Sequence, residues 1–215
     1  MRRAAAIVLV ALLAAALGRL SAPSGSGSPP LTPGPGPTRT LAGVGVGYAH
    51  TKAGAALAAA GYERAFADAA VLRPGALRAR IEAVATPDFA PRMLAANAPG
   101  ARRLAAGALG EGLRAGVATV YLGVPVSYRL LSYMPSRAVV RIWGLTLLGN
   151  AASVEPQAYF GTARTVLVWS EGDWKIADTR AAFGPTPRLA TPRRSGEGFG
   201  LIELTRELRP YGIAP

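Results

Sequence analysis

Three hydrophobic patterns follow one another along the chain. The first is an unbroken apolar run over residues 4–18, with Ile7, Val8, Leu9, Val10, Leu12, Leu13 and Leu17 behind Arg2 and Arg3. A basic start followed by such a run is the n-region and h-region of an export signal. Its length of about 15 residues is short for a bilayer span of about 20. Arg19 can snorkel and Leu20 can extend it, and Pro23 sits awkwardly behind the small pair Ser21 and Ala22 where cleavage would be expected. The expectation is therefore a retained single-span anchor with Arg2 and Arg3 inside. The alternative is a secreted chain beginning near residue 23. Residues 21–39 have no apolar period and consist largely of Ser, Gly and Pro, the composition of a linker that cannot bury enough surface to fold.

The second pattern is helical. Thr51 is a suitable N-cap for a helix running to about residue 70, in which Ala58, Tyr62, Ala65, Phe66 and Ala69 recur on one face. Pro74 opens a second helix carrying Leu77, Ile81 and Val84, which must stop before Pro87 because a proline ring disfavours a helical residue ahead of it. A third stretch holds Met93, Leu94, Leu104, Leu109 and Leu113. Pro99 is expected to interrupt it, and Gly107, Gly110 and Gly112 to loosen it.

After Gly116 the period becomes that of strands. Residues 117–122 predict a short edge strand. Residues 125–133 and 138–148 predict two long strands joined by a turn at Met134, Pro135, Ser136 and Arg137, the second of them apolar on both faces and hence central. The clearest hairpin pairs residues 159–169 with 174–180 around Glu171 and Gly172. That register sets Trp169 opposite Trp174, Leu167 opposite Ile176 and Thr165 opposite Asp178, and it makes the two tryptophans a core pair packed on the helix of Tyr62 and Phe66. A proline-containing tail ends in an amphipathic stretch with Phe199, Ile202, Leu204 and Leu208. The division is then an anchor or signal at 1–20, a linker at 21–40, a folded domain at 41–182 and a tail at 183–215. Helices followed by a meander of antiparallel strands define an α+β class.

Composition removes several function classes. The 215 residues include no cysteine and one histidine, so a disulfide framework, a cysteine-ligated zinc and any site needing two imidazoles are excluded. His50 is then expected to be a turn residue. The net charge of +12 overstates any affinity for nucleic acid, because Arg2, Arg3, Arg19 and Arg39 precede residue 41, where no acid occurs, and arginine outnumbers lysine in the manner of a GC-rich coding bias. No aromatic-interleaved basic face accompanies it, and a nucleic-acid partner is not expected. Gly43, Gly45 and Gly47 alternate with valine and follow a linker, so they make no phosphate loop, and no serine stands in a nucleophile elbow. Neither a cofactor nor a metal is expected.

The hairpin residues Val168, Trp169, Gly172, Asp173, Trp174, Lys175, Ile176 and Asp178 resemble the nuclear transport factor 2-like superfamily, over roughly residues 51–180. The likeness implies a cone in which a curved sheet wraps around helices. Tyr48, Ala49, His50, Thr51, Gly54 and Ala55, with Tyr128 and Tyr133 and the final Pro-Tyr-Gly-Ile-Ala-Pro, are similar to uncharacterised exported actinobacterial proteins associated with conjugation or type IV secretion components. That resemblance implies a non-catalytic, membrane-anchored scaffold outside the cytoplasm, contacting other protein subunits at the cell envelope.

Two function classes follow. For a scaffold, the cone is filled by large side chains from the strands holding Trp143, Tyr159 and Trp169, and contacts come from exposed apolar surface and from Phe199, Ile202 and Leu208 in the tail. The alternative is a small-molecule binder or an isomerase- or cyclase-like enzyme, which needs a carboxylate in an apolar mouth with phenol donors beside it. The candidates for that role are Asp178 with Tyr128, Tyr133 or Tyr159, but Asp178 nears a strand end, where a carboxylate is rather expected to cap a turn or pair with an arginine such as Arg164 or Arg180.

Overall fold

A computed structural model describes residues 34–188 and the pair 209–210. Contacts divide the chain after Pro33, and the described residues belong to the second unit, Gly34–Pro215. The anchor at 1–20, most of the linker, and Phe199, Ile202 and Leu208 lie outside the described residues. Among those described, no helix is long and apolar enough to cross a membrane.

Folding begins earlier than residue 41. Two short strands, β1 (Arg39–Leu41) and β2 (Val44–Val46), pair across a turn in which Ala42 and Gly43 both take positive φ. The N–H of Thr38 donates to Val46 O at 3.1 Å, so the last residues assigned to the linker are part of this hairpin. Helix α1 (Lys52–Phe66) starts as expected at Thr51, whose side chain accepts from the Gly54 N–H at 3.0 Å. It ends four residues before the expected boundary, and a 3-10 turn (Ala69–Leu72), capped by Asp68, follows. The buried face of α1 is alanine and glycine apart from Tyr62, which lets backbone approach closely. A β-carbon on Gly54 would lie 1.9 Å from Ala49 O.

Helix α2 (Ala76–Val84) follows Pro74 and buries Leu77, Ile81 and Val84. Its C-terminus is fastened to the sheet: Lys175 Nζ donates to Ala83 O at 2.7 Å and the Thr86 N–H donates to Ile176 O at 2.9 Å. Helix α3 (Ala90–Ala106) runs straight through Pro99, contrary to the expected interruption. Pro99 lies on the exposed side, where the carbonyl it leaves without a donor can face water. The break falls instead at Gly107, after which comes α4 (Ala108–Arg114).

The sheet has the order β6-β5-β4-β3-β7 and is antiparallel throughout. The expected short edge strand and its successor are one 16-residue strand, β3 (Thr119–Met134). Shifts between Pro125 and Ser127 and between Leu130 and Ser132 absorb the proline without ending the ladder. Strand β4 (Arg137–Asn150) is central as expected, followed by β5 (Gln157–Ser170) and β6 (Asp173–Phe183). The last piece, β7 (Arg209–Pro210), lies against Ser127 and Tyr128, so the tail returns to its own domain at that point.

The helices and the helix-facing side of the sheet share one core that includes Tyr62, Ile81, Val84, Val140, Ile142, Leu167, Trp174 and Ile176. The Trp169–Trp174 register is as the sequence predicts, with rings 5.2 Å apart in a T-shaped contact, and the Tyr62 hydroxyl donates to Trp174 O at 2.7 Å. His50 stands exposed in the bend ahead of α1, as expected of a turn residue, and reaches this cluster from there. Its ring stacks on Trp169 at 3.9 Å, and Nε2 donates to Pro135 O.

Candidate functional site

The end of the sheet away from the tryptophans is built of small residues. Ile142 faces the helices, so alternation along β4 places Gly144 and Thr146 on the same side. The register adds Ala163, Gly161 and Tyr159 from β5 and Ala181 and Phe183 from β6. Glycine and alanine at these positions leave the floor low. On β3, Gly123 allows α1 to close on the strand: its N–H donates to Ala67 O at 2.6 Å, and a β-carbon there would lie 2.8 Å from the Ala67 β-carbon.

Two cavities result, of about 220 and 210 Å³, and Glu63, Thr146 and Ala181 line both. The inner one also meets Tyr62, Asn97, Tyr121, Thr165 and Thr179, and the lining of the outer one includes the exposed Tyr159 and Phe183. Those two rings lie 6.3 Å apart and are 41% and 89% exposed. Glu63 is therefore a carboxyl set between a polar inner chamber and an aromatic mouth. Among the described residues its side chain has no hydrogen bond or ion pair, and no Lys, Arg or His lines either cavity. Burial pushes the Glu63 carboxyl above the ordinary 4.5. Tyr121 is also raised, first by burial and then by the charge of Glu63.

Asp178, the candidate for an interior carboxylate, takes instead the other role expected of it near the strand end, a pairing with an arginine. A bulge between Val166 and Leu167 shifts the pairing, so that Val166 faces Asp178 and Thr165 faces Thr179. The Thr165 and Thr179 hydroxyls lie 3.3 Å apart and take the inner positions. Asp178 turns outward instead. Its side chain is 40% exposed and lies 3.9 Å from Arg180 Nε, an exposed pair of small energetic weight. Tyr159 does stand at the mouth, with its hydroxyl donating to Gln157 Oε1. Tyr133 lies with the tryptophans, 6.0 Å from the Trp174 ring, and Tyr128 packs on the core without lining either cavity.

The three large residues on the strands expected to fill the mouth go to different places. Trp143 faces the other side of the sheet, stacking on Phe160 at 5.3 Å while Nε1 donates to Pro185 O at 2.9 Å. Trp169 closes the opposite end.

Three further polar residues had no predicted role. Asp173, fully buried, accepts from the N–H groups of Gly47 at 2.8 Å, Tyr48 at 3.1 Å and Trp174 at 2.9 Å, joining the first hairpin to the last. Arg80 is buried against Asp68 Oδ1 at 3.1 Å and donates to Ala65 O, which clasps the end of α1 to α2. Glu63 itself carried a legible signal: Ala55, Ala59, Glu63 and Ala67 recur every four residues and so share one stripe of a helix.

A second concave surface lies between the 3-10 turn, α2 and α3. It is a trough of about 1080 Å³ whose apolar lining includes Leu72, Leu77, Ile81, Leu94, Ala98 and Ala101. Arg73, Arg78 and Arg102 also line it, against a single acid, Glu82, which lies 3.6 Å from Arg78. Among the described residues no group of three potential metal ligands comes together.

Residues 24–196 match the family model of a domain of unknown function (DUF8175). No curated protein and no solved structure matches the chain.

Proposed function

The chain belongs to the DUF8175 family, and from that premise we propose a non-catalytic, membrane-anchored scaffold whose domain binds another protein subunit at the outer side of the cell membrane. The observation that carries this reading is the trough between α2 and α3. An apolar floor with an arginine-dominated border suits an amphipathic helix whose apolar stripe is flanked by acids, since helices laid in grooves take their affinity from the stripe and their orientation from rim charges. The finer fold reading, a nuclear transport factor 2-like cone, belongs to the same proposal and is supported by four long antiparallel strands with the helices packed on one side. Placement in a conjugation or type IV secretion machine rests on the sequence resemblance at residues 48–55 and at the C-terminus.

Photocrosslinking from position 98 in native membranes tests the scaffold reading. One discrete protein adduct is expected, lost when Arg73 and Arg102 are both changed to Glu and kept in Tyr159→Ala. No adduct, or an adduct indifferent to the charge reversal, would overturn it.

A further inference from the structure

We propose that the cavity beside Glu63 is a binding site for a compact organic cation, an alkyl- or methyl-substituted ammonium, held between the Glu63 carboxylate and the rings of Tyr159 and Phe183. This is a separate matter from the docking trough, which shares no residue with it.

Charge comes first. The chain carries 24 Lys and Arg against 12 Asp and Glu, so a carboxyl can readily find a basic partner, yet Glu63 has none among the described residues. Glu63 is half-buried, so its carboxyl has given up part of its hydration without gaining a counter-ion. Its oxygens are not sealed in. Ser127 Oγ is the only fully enclosed, unpartnered side-chain polar atom among the described residues, so the Glu63 carboxyl is open to the cavity.

Shape and lining narrow the ligand. Each cavity falls below the roughly 300 Å³ at which pockets for drug-sized ligands begin, which favours an occupant of a few heavy atoms. Tyr159 and Phe183 present aromatic faces at the mouth, and such faces attract cations, most strongly where water is excluded. An anion would meet the carboxylate. A metal ion would find one carboxyl and no second acidic or imidazole ligand in either cavity.

Binding should depend on pH in a defined sense. The titratable groups facing Glu63 are Tyr62 on its own helix, Tyr121 on β3 and Tyr159 on β5, while β4, β6 and α3 offer none to these cavities. Because burial raises Glu63, the carboxylate that holds the cation fills in only as the pH climbs past its elevated value, and affinity rises with it.

Calorimetry on the full chain in maltoside micelles provides the test, with tetramethylammonium and choline as probes and 3,3-dimethylbutanol as the neutral isostere of choline. At about pH 8 the cations should saturate a single site, and affinity should fall as the pH is lowered and Glu63 takes up its proton. Glu63→Gln, folded by circular dichroism, should lose about tenfold or more, and Phe183→Ala, at an exposed position that folding does not need, about threefold. Equal binding of 3,3-dimethylbutanol, unchanged affinity in Glu63→Gln, or no heat from either cation at pH 8 would overturn the proposal. Should Glu63→Gln fail to fold, the pH comparison and Phe183→Ala decide the matter alone. The crosslink at position 98 is read separately, so either conclusion can fail without the other.

Discussion

Replacing Trp174 by Ala probes the joint on which both ends of the domain depend. The side chain is fully buried, touches the rings of Trp169, His50 and Tyr133, and donates from Nε1 to Ala49 O at 3.0 Å. A buried tryptophan removes about 150 to 250 Å² from water, which at about 25 cal/mol per Å² corresponds to about 4 to 6 kcal/mol. That is an upper bound, because the unfolded chain already shields part of its apolar surface. Truncations of large aromatics cost about 3 to 5 kcal/mol, and the lost hydrogen bond adds about 1 kcal/mol while stranding the Ala49 carbonyl. The expected loss is therefore about 4 to 5 kcal/mol, a large share of the stability of an ordinary domain. Trp174→Phe keeps most of the packing and loses the donor, so about 1 to 2 kcal/mol is expected. Urea titration followed by far-ultraviolet circular dichroism measures both without relying on the fluorophore being changed. A loss under about 1 kcal/mol for the alanine variant, with an unchanged denaturant slope, would refute the buried-joint reasoning.

Asp173→Asn replaces a charged acceptor of three backbone amides by a neutral one and should cost about 2 to 3 kcal/mol in the same titration. Glu63→Gln should alter the pH dependence of stability. With the folded carboxyl above 4.5, the native state holds more protons than the unfolded one, so stability is greatest below the unfolded value and declines as pH rises toward the folded value. The glutamine variant should lack that decline and be the more stable protein at alkaline pH, which paired melts across the range will show. Cell fractionation with N-terminal sequencing should find the intact chain in membranes, and a soluble product beginning near residue 23 would reverse the anchor assignment in favour of secretion.

The parts of the fold legible in the sequence are those set by local chemistry. Thr51 as a cap, Pro74 and Pro87 as bounds, and the Glu171–Gly172 turn with its flanking tryptophans each determine a few residues' geometry without help from elsewhere. What escaped is decided at long range. Pro99 looks like a breaker, but the exposed side of a long amphipathic helix tolerates it. Pro125 looks like a strand boundary, but a register shift takes it up. The bulge opposite Ala177 has no marker in the sequence, and one extra residue there exchanged Asp178 for Thr179 on the inner face. Glu63 has no role in the sequence reading, although its four-residue spacing from Ala55 and Ala59 places it on the packed stripe.

The Asp173 clasp also sets an order of events in time. Its bonds to Gly47 and Tyr48 join residues 126 and 125 positions apart, and the Trp174–Ala49 bond spans a similar interval. At a synthesis rate of about 5 to 20 residues per second, the hairpin that seats the start of α1 leaves the ribosome about 6 to 25 s after that helix does. Until then Gly47 and Tyr48 lack the carboxylate that accepts their N–H groups, and the Tyr62 hydroxyl lacks its Trp174 acceptor. A chain shortened before residue 173 should therefore not yield a smaller version of the domain. It should yield a sticky helical fragment that depends on chaperones, because the first part made can be finished only by the last.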